Sequence, residues 1–208
     1  MTPSEVAANI PFVNNSAKNR VADLKIRKKQ PEFQEGLGGF CLYHGKLSKR
    51  ENEFSALWLL ENVFNTLEIP FVIAGSEASE LLETAAHLRL HTCLVNNPNE
   101  SELQDLIRKS QVVLLPVFCD AIQQYPLELS LSLGKHILIN PKANKKMEMG
   151  ALCQVAENPE SYKAQIESLF KEPFTKDMWS ERVNSALFQA PQINPGLVVS
   201  QLTISHYQ

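Results

Sequence analysis

The chain has little with which covalent or metal chemistry could hold it. Its four cysteines (Cys41, Cys93, Cys119 and Cys153) include no C-x-x-C pair and lie in or beside segments that read as strands. That spacing supports four reduced, buried thiols in a cytoplasmic setting rather than a disulfide framework. His, Cys and acidic residues do not cluster at ligand spacing, so no metal is expected. There are eight glycines in 208 residues and no G-x-G-x-x-G anywhere, which argues against NAD or FAD. No apolar run reaches the ~18 residues of a membrane span, and no signal peptide opens the chain. Neither sign of charge dominates: 20 Lys and Arg stand against 23 Asp and Glu, a net charge of −3. Nothing in that balance calls for nucleic acid or an acidic partner.

What is present is ordinary globular composition, 44% hydrophobic and 21% charged, arranged in alternating short and long apolar patterns. Residues 1–37 lack sustained periodicity and read as a linker, with a basic stretch over 18–29 that is a solvated charge run. From residue 38 a strand pattern at 39–43 runs into a turn, His44-Gly45-Lys46-Leu47-Ser48-Lys49. Ser48 then serves as a helix cap, with Glu51 as its reciprocal partner. That helix turns Phe54, Leu57, Trp58, Leu60, Val63, Phe64 and Leu67 inward. Strands follow at 71–74 and 91–95. Between them Gly75-Ser76 turns into a helix carrying Leu81, Leu82, Ala85 and Leu88. Asn99 with Glu102 caps the next helix. Residues 112–115 form an unbroken apolar strand that Pro116 ends. A helix closed by Gly134 as a C′ residue leads to a strand at 136–139. A short strand at 152–156, Asn158-Pro159 as cap and first helical residue, and a final helix at 176–188 complete the domain. It spans 38–190, with a tail over 191–208.

Six strands alternating with helices predict an α/β fold: a doubly wound, six-stranded parallel sheet with helices on both faces. In such sheets ligands sit beyond the carboxyl ends of the strands. Asp120 lies there after the fourth strand, with Glu128 eight residues on. Lys46 and Lys49 sit at the start of the first helix, where backbone N–H groups and the helix dipole favour an anion. His44 and His136 flank strands without a sequence-near partner and read as structural.

The order of these features resembles the C-terminal, nucleotide-sugar-binding half of retaining GT-B glycosyltransferases of the family 4 type. Gly45-Lys46-Leu47 followed by Lys49 stands where that family has Gly-Arg-Leu and a helix-opening Lys. Val72-Ile73-Ala74-Gly75 matches its second strand. Val112 to Pro116, then Asp120 and Glu128, matches its strand and Glu-x7-Glu pair, and Gly134 with the next strand matches its continuation. The likeness covers about Phe40 to Leu187. This chain departs from the pattern at Asp120, at Ile122 and Gln123 where glycines flank the acid, and at Lys46. Counting back from Gly134 puts Leu129, not Glu128, at the second acid.

The resemblance implies a Rossmann-like donor domain that binds a nucleotide diphosphate sugar as substrate, without metal or further cofactor. Lys46, Lys49 and Gly45 would face the diphosphate, with backbone amides around Ile122, Gln123 and Gln124. Glu128 would hold the ribose and Asp120 a sugar hydroxyl. It further implies an N-terminal acceptor-binding domain elsewhere, and so an isolated chain without activity. Two alternatives remain: a Rossmann-like module that kept the fold and lost the site, serving assembly or regulation, and a GT-B-type sugar-nucleotide epimerase.

Overall fold

In the computed structural model the described residues are 34–119, 124–147 and 152–188. The chain divides into residues 1–32 and 33–208, and all described residues belong to the second unit. Of the expected linker over 1–37, residues 1–33 lie outside them, as does the expected tail over 191–208.

The six strands are β1 (Cys41–Lys46), β2 (Phe71–Ser76), β3 (Thr92–Asn96), β4 (Val112–Leu115), β5 (His136–Ile139) and β6 (Gln154–Val155). They form one sheet in the order β3-β2-β1-β4-β5-β6, every pairing parallel. The helices are α1 (Arg50–Asn62), α2 (Glu80–His87), α3 (Glu100–Lys109), α4 (Gln124–Leu133), α5 (Pro141–Met147), α6 (Pro159–Leu169) and α7 (Lys176–Phe188).

Strand residues alternate between two cores, as the pleat requires. Cys41, Tyr43, Phe71, Ile73, Val112 and Leu114 pack with α1, α2 and α6 through residues such as Leu59, Leu82 and Ile166. Leu42, Ala74, Val113, Leu115, Ile137 and Ile139 pack on the other face with α3, α4 and α5 through Ile107, Leu131 and Ala143. Helices therefore cover both faces, and the doubly wound architecture expected from the pattern is the one found.

Several local expectations need correction. β1 and β2 run on through Gly45-Lys46 and Gly75-Ser76, which pair with each other in register. A Cβ on Gly75 would meet the Gly45 carbonyl oxygen at 1.9 Å. That glycine answers a close backbone approach inside the sheet rather than a turn. Gly134 does follow α4, but without positive φ: its N–H donates to the Ser130 carbonyl at 2.8 Å. A Cβ there would meet that same oxygen at 2.7 Å and Val113 at 3.3 Å. Of the four thiols, Cys41 and Cys153 are buried, whereas Cys93 is exposed and Cys119 half-buried. Cys93 is exposed because β3 is an edge strand. Leu81 and Leu88 lie at the surface, as does Phe54, whose ring packs edge-on against Phe118 at 5.4 Å.

α5 carries no apolar stripe, so periodicity is silent about it. Its signal is Asn140-Pro141, the same cap-and-proline pair as Asn158-Pro159. Asn140 Oδ1 accepts from Ala143 N at 3.0 Å, and Pro141 is the first helical residue.

Two buried cations secure helix ends at the amino side of the sheet. The Lys135 ammonium donates to the Arg108 carbonyl at the end of α3. Arg182 of α7 donates to the Gly134 carbonyl at 2.7 Å and to that of Lys135, just past α4. Its guanidinium also lies 4.8 Å from the centre of the buried Phe174 ring. Unpaired carbonyls and the negative end of the dipole make these favourable places for positive charge.

Candidate functional site

The strand order reverses between β1 and β4, so the switch point of the fold lies at their carboxyl ends. β1 and β4 are paired only over Cys41–Leu42 and Val112–Val113. Beyond that, β1 continues along β2 while β4 stops at Leu115 before Pro116. α1 leaves over one face and α4 over the other. Where they part, Tyr43, His44, Leu115, Pro116, Val117, Pro126 and Leu127 line a slot of about 20 Å³, room for a single water molecule.

The walls of this crevice are tied by buried polar contacts. His44 Nε2 lies 2.8 Å from Ser130 Oγ, and that hydroxyl donates to the Pro126 carbonyl at 2.7 Å. With its own proton so committed, Ser130 accepts from an imidazole carrying its proton on Nε2. Burial lowers the His44 pKa to about 4, so the ring is neutral. On the other face the Tyr43 hydroxyl donates to the Asn52 carbonyl at 3.0 Å, and Asn52 Nδ2 to the Lys46 carbonyl at 2.8 Å. Ser55 Oγ reaches the Glu51 carbonyl at 2.9 Å and the Pro116 carbonyl at 3.3 Å. These contacts fix the first turns of α1 and α4 over the strand ends. The loop after β4 is held from β5: Asn140 Nδ2 donates to the Val117 carbonyl at 2.9 Å, and Lys142 Nζ to that of Phe118 at 2.8 Å.

The loop between β1 and α1 is short and internally bonded. The Leu47 and Ser48 amides both donate to the Ser76 carbonyl, at 3.0 and 3.3 Å, and the Lys49 amide to Lys46 at 3.1 Å. Ser48 does not cap α1. The N-cap is Lys49, in extended conformation and with no side-chain bond to the helix. The Ser48 hydroxyl instead supports Glu77: its hydrogen bond, followed by the charge of Lys46, lowers the Glu77 carboxyl pKa. Lys46 Nζ is 3.7 Å from Glu77 Oε2, both side chains more than half exposed. Glu77 itself sits at φ 59°, a left-handed conformation that suits glycine. Glu51 and Glu53 occupy the first turn of α1, so the cations Lys46, Lys49 and Arg50 are interleaved with acids.

The expected site residues therefore divide. Gly45, Lys46 and Lys49 lie at the switch point, the first two as strand residues. Glu128 is on the second turn of α4, directly after slot-lining Leu127, and is buried at 8% exposure; Leu129 is half-buried. Gln124 opens α4. Asp120, Ile122 and Gln123 lie outside the described residues. Glu77 and the His44–Ser130 pair went unforeseen. The only trace of Glu77 was a glutamate following Gly75-Ser76, and 86 positions separate His44 from Ser130. Among the described residues no group of His, Cys, Asp and Glu is placed to hold a metal ion, and no helix is long and apolar enough to cross a membrane.

No family model and no curated protein matches this sequence. Solved structures do. AviGT4, a glycosyltransferase involved in avilamycin A biosynthesis, superposes with a TM-score of 0.54 at 11% identity, over 81% of this chain and 56% of that one. WaaG, a glycosyltransferase involved in lipopolysaccharide biosynthesis, gives 0.50 at 13% identity, over 95% and 52%. The UDP-forming α,α-trehalose-phosphate synthase from Burkholderia vietnamiensis gives 0.54 at 12% identity, over 92% and 45%. The chain thus spans about half the length of the structures it matches, and what it shares with these glycosyltransferases is a Rossmann-like α/β fold, here a six-stranded parallel sheet.

Proposed function

We propose that this chain is the donor-side domain of a glycosyltransferase, binding a nucleoside diphosphate sugar at the β1/β4 switch point. The observation that supports this most directly is the placement of the Lys46–Lys49 turn and the first turns of α4 on the two sides of that crevice. Transfer breaks the bond between the anomeric carbon and the diphosphate. The electron pair stays with the leaving phosphate, and the acceptor hydroxyl forms the new bond as its proton is lost. Cations held at a helix N-terminus stabilise the charge that develops on the leaving group. Lys46 and Lys49 would do this, with Glu128 against the ribose and Asp120 against the sugar. An acceptor domain would come from a further Rossmann-like α/β unit.

One observation favours the reading in which the fold serves assembly and the chemistry is gone. Lys46 and Ser48 already hold a carboxylate, that of Glu77, and the loop amides are spent on Ser76. An exposed ion pair is worth little, so a diphosphate would displace it readily, but an empty clamp would look the same.

A thermal-shift panel of UDP-, GDP- and ADP-sugars on the full chain and on Glu77→Gln separates the two. The donor-side reading expects stabilisation by one donor class, stronger in Glu77→Gln and weaker in Lys49→Ala. No shift in either protein would favour the assembly reading.

A further inference from the structure

The two edges of this sheet are treated differently. At one edge β6 has only the residues Gln154 and Val155, and the side chain of Gln165 donates to the Val155 carbonyl at 2.8 Å. Shortness and a covering side chain both blunt an edge. At the other edge β3 (Thr92-Cys93-Leu94-Val95-Asn96) has neither device, nor a charge, proline or bulge. Among the described residues nothing pairs with its outer side.

The register says which groups face out. The Phe71 amide donates to the His91 carbonyl at 2.8 Å, and the Asn97 amide to the Gly75 carbonyl at 2.7 Å. Odd-numbered residues of β3 therefore bond β2, and Thr92, Leu94 and Asn96 turn their backbone groups outward. The Thr92 amide is taken by the Arg89 carbonyl at 3.2 Å. That leaves the Leu94 and Asn96 amides with the Thr92, Leu94 and Asn96 carbonyls.

We infer that β3 pairs antiparallel with β3 of a second copy of this chain across a two-fold axis at Leu94. There the two Leu94 residues exchange both hydrogen bonds, and each Asn96 amide donates to the Thr92 carbonyl opposite. Cys93 faces Val95, so no like charges meet within the strands. The ends of the strand are complementary in charge: Arg89 and the 98%-exposed Leu90 precede β3, Glu100 and Glu102 open α3 beyond its other end, and antiparallel pairing brings the opposite ends of two copies together. A single self-complementary patch closes on itself as a dimer and leaves no free edge.

Light scattering after gel filtration of the full chain, over a dilution series, is the test. The expected species has twice the 23.4 kDa chain mass and dissociates on dilution. Cys93→Lys puts a charge on an exposed side chain whose backbone bonds point inward. It is expected to yield a monomer with unchanged circular dichroism and with the unfolding midpoint that the original chain shows when diluted to monomer. Leu94→Cys is expected to form an interchain disulfide under mild oxidation, because directly opposed residues of a hydrogen-bonded pair lie ~5.5 Å apart between Cα atoms, within disulfide reach. A monomer at every concentration, or a dimer that survives Cys93→Lys intact, overturns the inference.

Discussion

Burial holds the His44 imidazole at a pKa of about 4, against an ordinary value of 6.5. The unfolded chain therefore takes up a proton below 6.5 that the folded chain refuses until about 4. Stability from this group is complete above 6.5 and is lost as the pH falls toward 4. The loss is on the order of 3 kcal/mol over that interval. Urea unfolding at pH 7.5 and pH 4.5 measures it. His44→Gln, which can still donate to Ser130 but cannot titrate, is expected to show a distinctly smaller fall. Gly75 is a second point of sensitivity. Gly75→Ala drives a methyl into the Gly45 carbonyl and within 2.7 Å of Leu47 Cγ. Overpacking of that kind typically costs ~1–3 kcal/mol, occasionally more, and a backbone atom cannot rotate away, so a loss at or above the top of that range is expected in chemical denaturation. Neither constraint is visible in the sequence, where His44 and Gly75 look like turn residues.

Among the elements, α1 begins on a residue poorly suited to begin a helix. Lys49 has the extended backbone of an N-cap but no side-chain acceptor for the first turn. Asn99 and Asn158, by contrast, each complete a capping box. Lys49→Asp is therefore expected to stabilise the fold by about 1 kcal/mol, the usual worth of a cap, and to abolish nucleotide binding if Lys49 faces a diphosphate. A gain in unfolding midpoint together with a lost ligand shift would mark Lys49 as retained for binding at the expense of stability. A gain without any change in binding would return it to a solvated turn. α4 teaches a different lesson. Leu127, Leu129, Leu131 and Leu133 alternate as a strand would, yet they form a helix. The element packs on the sheet beside α3 and buries most of its circumference, so Glu128 and Ser130 are buried beside the leucines. Periodicity reads one buried face, and an element covered on several sides escapes it.

For the molecule as a whole, ligand and fold are linked. A donor bound only by the folded chain raises stability by RT ln(1 + [L]/Kd), about 2.7 kcal/mol at a hundredfold excess over Kd. Thermal shifts for different donors therefore rank their affinities directly. If the chain is the donor-side domain proposed above, it is expected to turn over no sugar at a useful rate by itself, because such a site without its acceptor domain leaves the donor open to water and provides nothing to orient an acceptor. Robust transfer by the isolated chain, followed by product analysis, would overturn the donor-half reading while leaving the fold untouched.

The sequence by itself determined the six strands, every helix but α5, and the class. Short apolar runs of β-branched and aliphatic residues separated by helical stripes admit few arrangements other than a doubly wound parallel sheet, because right-handed crossovers return each strand beside another. β4, β5 and the caps at Asn99 and Asn158 were legible for the same reason: their signals are local. Tertiary structure alone decided what happens at the switch point. Strand order placed β1 beside β4, which brought His44 to Ser130, and β1 beside β2, which brought Lys46 and Ser48 to Glu77. Such contacts join residues far apart in the chain, and the chemistry of a charged loop depends on which opposite charges the fold carries to it. A glycine that looks like a turn can be a close approach between strands, and a cation can arrive with a carboxylate already beside it, as Lys46 does with Glu77.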